Sequence, residues 1–177
     1  DPYWVGEMGK AYIRGIHLGA RDQMAVIAKH FPGRGSSDRL PEEEVATVRK
    51  SLEQLKLIEL APFFAVTHSQ EDDPVGGIVE GLLVSHIRYQ GFQGNNIRDT
   101  TPPVSLDASA LRQILDLEQF AEWYQQGGII VSDSLGSNAV RRFYDPANLE
   151  LDARLVARSA FMAGNDLLYL NDFIESG

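Results

Sequence analysis

The chain has 177 residues, 44% of them hydrophobic, and a formal net charge of −9: enough for one domain with a real core, and too apolar for a disordered segment. No apolar run nears the ~20 residues that span a bilayer, and the acidity argues against a nucleic-acid backbone as main partner, which demands Lys/Arg patches, while suiting a neutral or cationic small ligand. There is no cysteine, which excludes disulfides, thiolate zinc sites and a cysteine nucleophile.

Asp1 reads as a cap and Pro2 as a first helical position, so the spacing of Val5, Met8, Tyr12 and Ile16 predicts a helix over 2–19, with Gly19 suited to its end. With neither an initiator Met nor a signal peptide at this end, the chain is expected to begin inside a longer protein. Residues 24–31 read as a buried strand running into the Phe31-Pro32-Gly33 turn. A polar loop follows over 33–40. Pro41 then opens a second helix, with Glu42, Glu43 and Glu44 in its first turn and Val45, Val48, Leu52 and Leu55 as its apolar face. Ala61 to Val66 suits a short helix or strand, and 68–77 an acidic loop. A strand over 78–87 ends in Ser85 and His86. After a long loop, 107–125 reads as a helix capped by Ser105 or Asp107. A strand over 128–133 comes next, then helices over 137–144 and 151–163, and a short strand over 166–170.

Continuously apolar strands alternating with helices predict an α/β fold with a parallel sheet covered on both faces. A doubly wound sheet and a (β/α) barrel share this pattern. Neither G-x-G-x-x-G nor a phosphate loop follows a strand, which weakens a nucleotide-binding reading.

Parallel-strand enzymes carry their chemistry at the C-terminal ends of strands. Three such ends are polar here. Asp133 precedes the Ser134-Leu135-Gly136 turn; it suits a nucleophile or general base, and equally a cap for the next helix. Lys29 and His30 could hold hydroxyl groups or tune a nearby carboxylate, and could instead form a buried ion pair. His86 could contact substrate, orient Asp133, or serve as a hydrogen-bonded core residue. Arg34 and Arg39 lie in the loop after the first strand, where a solvated role is simpler than a ligand contact. His17 is placed to meet the helix C-terminus. His68 with Glu71, Asp72 and Asp73 lacks metal-ligand spacing and reads as a solvated acidic loop, so no metal is implied.

Taken in order, Lys29-His30-Phe31-Pro32-Gly33, Leu83-Val84-Ser85-His86-Ile87, Val131-Ser132-Asp133-Ser134-Leu135-Gly136 and Ala163-Gly164-Asn165-Asp166 resemble four elements of the N-terminal barrel domain of family 3 glycoside hydrolases. The bacterial β-N-acetylhexosaminidases are the branch most alike. The resemblance implies part of a TIM-type (β/α) barrel, lacking the first strands and the last. Residues 1–177 would be the C-terminal portion of that domain, with the missing layer supplied by the rest of a longer protein or by a second copy. It implies a retaining exo-glycosidase acting on β-linked N-acetylglucosamine or a related sugar, without a cofactor, in the bacterial cytoplasm or cell envelope. Asp133 would be the nucleophile; Lys29, His30, His86 and Arg34 would bind the carbohydrate. The family's acid/base loop departs here. Hexosaminidases continue the signature with His-Gly and an Asp-Ser-His triplet, whereas Arg34-Gly35-Ser36-Ser37-Asp38-Arg39-Leu40-Pro41 is shorter and holds neither histidine. Asp38 remains as the catalytic carboxylate this loop offers. A homologue that binds sugar but has lost its acid/base is the alternative.

Overall fold

The structure is a computed structural model that describes residues 1–68 and 77–171. Helix α1, Pro2–Ala20, is capped by the Asp1 carboxylate, which accepts the Tyr3 amide at 2.9 Å. It leads to strand β1, Ile27–Phe31. Strand β2, Ala46–Val48, and helices α2, Leu52–Leu57, and α3, Ala61–Thr67, follow. Next come β3, Gly81–Val84, β4, Ile87–Tyr89, and the single turn α4, Gln90–Gln93. A 3-10 turn spans Val104–Leu106. Helices α5, Ala108–Leu115, and α6, Glu118–Gln125, precede β5, Ile129–Ser132. Helices α7, Asn138–Tyr144, and α8, Ala153–Ala163, complete the described elements.

Strands β1, β3 and β5 form one parallel sheet in that order, with Leu82 opposite Ala28 and Ile130, and Val84 opposite Ser132. Strands β2 and β4 pair in parallel as a second, two-stranded sheet. Among the described residues the sheets do not close into a barrel. Side chains alternate across a strand: Leu82, Val84, Ile130 and Ser132 are fully buried, while their neighbours Leu83 and Val131 are half-buried on the opposite face. The buried face meets the helices through Phe31, whose ring packs edge-on against Phe63 and Phe120, both at 5.2 Å. Offset and edge-on pairs of this kind add to plain area burial. Helix α1 approaches α3 closely at Gly6, where a Cβ would lie 2.7 Å from that of Ala65.

The alternating α/β pattern is present, and several boundaries differ from expectation. The helix expected from Pro41 is instead a turn, then β2, then α2. Ala46-Thr47-Val48 carries two β-branched residues and is wholly buried beside β4, an environment that favours strand over helix. Helix α2 starts only at a capping box in which Ser51 and Gln54 satisfy each other's amides. The strand expected over 78–87 is interrupted at Ser85-His86, and the helix over 107–125 breaks between α5 and α6. Asp107, not Ser105, caps α5, accepting the Ser109 and Ala110 amides at 3.1 Å. In place of the expected last strand there is a single parallel bridge between Val131 and Leu167. The apolar residues of α1 face outward. Ile13 is buried, but Trp4, Met8 and Tyr12 are 62%, 72% and 71% exposed, because the side that meets α3 is the one bearing Gly6 and Gly9.

Candidate functional site

The C-terminal ends of β1, β3 and β5 lie side by side because the strands are parallel; the β3–β5 register is continuous, whereas that of β1 with β3 shifts by one residue between Ala28 and Phe31. β1 delivers Lys29, exposed, and His30, half-buried, to one wall of a cavity of about 490 Å³. Gly33 and Arg34 line the same cavity, with Tyr12, Ile13 and Phe63 among the residues of its apolar side. Burial pushes the His30 imidazole below its usual pKa, helped by the positive charges of Arg34 and Lys29, and opposed by the carboxylates of Asp133 and Glu42. His30 is thus a largely neutral ring within electrostatic reach of all four.

The turn behind β1 is tightly supported. Gly33 has φ of 114°, and a Cβ there would fall 2.8 Å from that of Glu59, so only glycine fits the turn without strain. The buried Tyr89 hydroxyl donates to the Gly33 carbonyl at 2.6 Å. Glu59 is buried too; its Oε1 accepts from Ser36 Oγ at 2.7 Å and from Lys50 Nζ, while Oε2 has no hydrogen-bond partner.

At the end of β5, the Asp133 amide donates to the Val84 carbonyl at 3.0 Å, carrying the β3–β5 ladder one residue past the strand. The half-buried Asp133 carboxylate accepts the Ser134 amide at 2.8 Å. It caps no helix: the α7 cap is Ser137, whose hydroxyl accepts the Val140 amide. Ser134 Oγ hydrogen-bonds Asn171 Oδ1.

His86 sits under this turn, buried, with both ring nitrogens engaged inside the protein. Nε2 lies 2.9 Å from the Ser134 carbonyl and Nδ1 lies 2.8 Å from Ser105 Oγ. A carbonyl can only accept, so Nε2 carries the hydrogen. Burial lowers the ring's pKa, the Asp133 charge opposing it, so the ring is neutral and Nδ1 accepts from the Ser105 hydroxyl. Asn165 extends this network, donating to the Ser105 and Ala160 carbonyls at 2.8 and 2.7 Å.

Lys29, His30 and Arg34 therefore share one cavity. Asp133 and His86 are not among its lining residues, but the Asp133 charge acts on both His30 and His86. Asp38 is held apart: its carboxylate accepts the Thr47 amide at 2.8 Å and pairs with Arg39 at 3.3 Å, and its own amide donates to the Thr47 carbonyl at 3.1 Å. Arg39 also meets Glu44 at 3.0 Å. His17 Nε2 lies 3.1 Å from the Glu80 carboxylate, so its side chain meets a residue of the β3 approach rather than only a helix end. Among the described residues no group of three or more His, Asp or Glu side chains could hold a metal; Glu71, Asp72 and Asp73 lie outside the described residues. No helix among them is long and apolar enough to cross a membrane. Sequence reasoning missed the supporting roles of Ser105, Tyr89, Lys50 and Glu59. None has a local signal, since the partners lie between nine and 56 residues away in sequence.

Comparison with known proteins adds lineage to this geometry. The pattern of the glycosyl hydrolase family 3 N-terminal domain matches residues 1–173. A β-hexosaminidase of Hydrogenovibrio crunogenus is 28% identical over 174 residues, covering 97% of this chain and 40% of the relative. One from Xylella fastidiosa is 27% identical over 141 residues, covering 80% of this chain and 35% of the relative. The chain thus spans well under half the length of these curated relatives. Among solved structures, a fungal multi-domain family 3 β-N-acetylglucosaminidase superposes with a TM-score of 0.72 at 26% identity, covering 96% of this chain and 17% of that one. A family 3 β-N-acetylglucosaminidase from Paenibacillus superposes with a TM-score of 0.68 at 24% identity, covering 93% of this chain and 26% of that one, a likeness of fold.

Proposed function

This chain belongs to the glycosyl hydrolase family 3 N-terminal domain family, and from that premise we propose that the protein containing it is a retaining exo-glycosidase acting on β-linked N-acetylglucosamine or a related sugar. The observation that carries the reading is the position of Asp133. Its carboxylate lies past the C-terminal end of a parallel strand, within the electrostatic reach of two neutral histidines, His30 and His86. Active sites of barrel-type sheets lie at that end.

Asp133 attacks the anomeric carbon as the bond to the leaving oxygen breaks, giving a glycosyl-enzyme that water then hydrolyses. Lys29, His30 and Arg34, which share one cavity, hold sugar hydroxyls, so that binding energy is expressed in the transition state. His86 acts from below as a positioning residue. Its Nε2–H holds the Ser134 carbonyl, and the Ser134 amide in turn holds Asp133. The remaining role, proton donor and then base, falls to a carboxylate after Gly33, and Asp38 is the one offered by position in the shortened loop.

The test is turnover of a chromogenic N-acetylglucosaminide by the full-length protein, which Asp133→Asn should abolish. Undiminished turnover by that variant refutes the assignment. The bonds that commit Asp38 to Thr47 and Arg39 favour a second reading, a homologue that binds sugar without cleaving it. Saturable sugar binding with no release of product would establish that instead.

A further inference from the structure

Successive side chains of a strand point to opposite faces. On β4, Tyr89 reaches the Gly33 carbonyl, and its neighbour Arg88 turns the other way, toward α7, with its guanidinium 5.7 Å from the centre of the Phe143 ring. Arg88 is 5% exposed, and a charge so buried is ordinarily paired with an opposite one. No carboxylate among the described residues lies within ion-pair distance of it; Asp99 and Asp38 act on the charge from farther off. Three main-chain carbonyls hold the group instead. Nε donates to Thr101 at 2.5 Å, Nη2 to Asp99 at 2.6 Å and Nη1 to Val45 at 3.2 Å. A guanidinium has five N–H groups, so two are left over.

Arg88 lines a cavity of about 740 Å³, together with Arg39 and Glu44 from the segment after β1, Asp99 from the segment after β3, and Arg142 and Phe143 of α7, which follows β5. All three segments leave the C-terminal ends of the main parallel sheet, the face at which such sheets take their ligands. Neither Lys29, His30 nor Asp133 lines this cavity, so it is distinct from the one beside β1. Its walls bring three guanidinium groups against two carboxylates, in a chain whose net charge is −9. Glu44 is spent on Arg39 at 3.0 Å and on Arg142 at 3.1 Å. Asp99 is exposed and meets Arg88 through its carbonyl. The charge left without a counterpart is the buried one. The volume suits a sugar-sized ligand.

We propose that this second cavity binds an acidic saccharide, whose oxyanion accepts from the two spare N–H groups of Arg88. The site goes beyond the glycosidase reading and does not require Asp133 to be a nucleophile. Three carbonyls fix the guanidinium plane, so the group is held ready for a planar or tetrahedral oxyanion and loses little freedom on binding. Arg39 and Arg142, tied together through Glu44, add positive charge at the rim. The half-buried Phe143 ring gives the sugar an apolar wall. A sugar carboxylate and a sugar phosphate share this chemistry.

The test is isothermal titration of the full-length protein at low salt with glucuronic acid, glucose 6-phosphate, inorganic sulfate and, as the neutral control, glucose. At least one of the two sugar acids should bind more tightly than glucose, and the tighter of them identifies the oxyanion. Arg88→Met should weaken that binding by about 10–100-fold, the span of a charge-assisted hydrogen-bond pair. Arg88→Met also strips three carbonyls of their donor, so its fold is checked by thermal melting. Thr100→Glu, at an exposed position lining the same cavity, puts a negative charge at the mouth without disturbing the core, and should weaken the sugar acid in the same direction while leaving glucose unchanged. Lys29→Ala, in the other cavity, should leave the affinity as it was. Neither sugar acid binding, glucose binding as tightly, sulfate binding alone, or a sugar acid lost with Lys29→Ala but kept in Thr100→Glu each overturns the proposal. None of these outcomes bears on hydrolysis, which Asp133→Asn tests separately.

Discussion

Replacing His86 by Gln tests the buried network under Asp133 through its pH dependence. The folded ring is held neutral by burial, its pKa below the ordinary 6.5, while the unfolded ring titrates at the ordinary value. Protonation therefore favours the unfolded chain: the contribution is fully present above about pH 6.5 and is lost as pH falls toward the folded pKa. A single such group can cost at most about 1.4 kcal/mol per pH unit, so acidifying from about pH 7.5 to about 5.5 should remove stability through His86 up to a ceiling of about 1.4 kcal/mol. His30 shifts in the same direction but is half-exposed, so solvent screening reduces its share. Denaturant unfolding of the protein and of His86→Gln at both pH values gives the difference directly. Gln should also lower stability at neutral pH by about 1–3 kcal/mol, because the Ser105 hydroxyl, wholly buried, loses a well-placed acceptor. An acid-induced loss equal in the two proteins would refute the assignment of a neutral, Nε2-protonated His86.

Three further outcomes follow from the turn behind Lys29 and His30. Lys50→Ala should destabilise the protein by about 3–5 kcal/mol in thermal or denaturant unfolding, since Glu59, with its side chain 5% exposed, would be left as an unpaired buried charge. The double replacement Lys50→Met with Glu59→Leu should recover much of that loss, and a double variant less stable than Lys50→Ala would contradict the argument. Tyr89→Phe removes only the hydroxyl that reaches Gly33; about 1 kcal/mol is expected, near 2–4 °C in melting temperature for a domain of this size. Gly33→Ala should cost more than Tyr89→Phe, because it meets both a positive φ and the Glu59 side chain; equal stabilities would show that the turn can relax.

The polar ends of the strands were legible in the sequence because they are local. An apolar run that stops at Lys29-His30 before Phe-Pro-Gly, or at Asp133 before Ser-Leu-Gly, marks a strand end, and the ordered set carried the family. The first helix was legible for the same reason, Asp1 acting as its cap as expected, and the helices expected over 137–144 and 151–163 begin one and two residues later and end as expected. The stretch after Pro41 was misread because glutamates in a first turn and apolar residues at mixed spacing suit a helix as well as a turn and a strand. Burial of Ala46–Val48 beside β4, forty residues on, decided the matter.

The sequence by itself determined the α/β class, the family and the strand-end residues, all of which depend on neighbours a few positions apart. The tertiary structure decided which of those residues meet. It placed Lys29, His30 and Arg34 on one cavity, sealed both nitrogens of His86 between Ser105 and Ser134, tied Asp38 to Thr47, and left Glu42 beside Arg34. These pairings join segments up to 48 residues apart. Long-range contacts of that kind form only when the hydrophobic faces of strands and helices are buried together, and no local pattern encodes them.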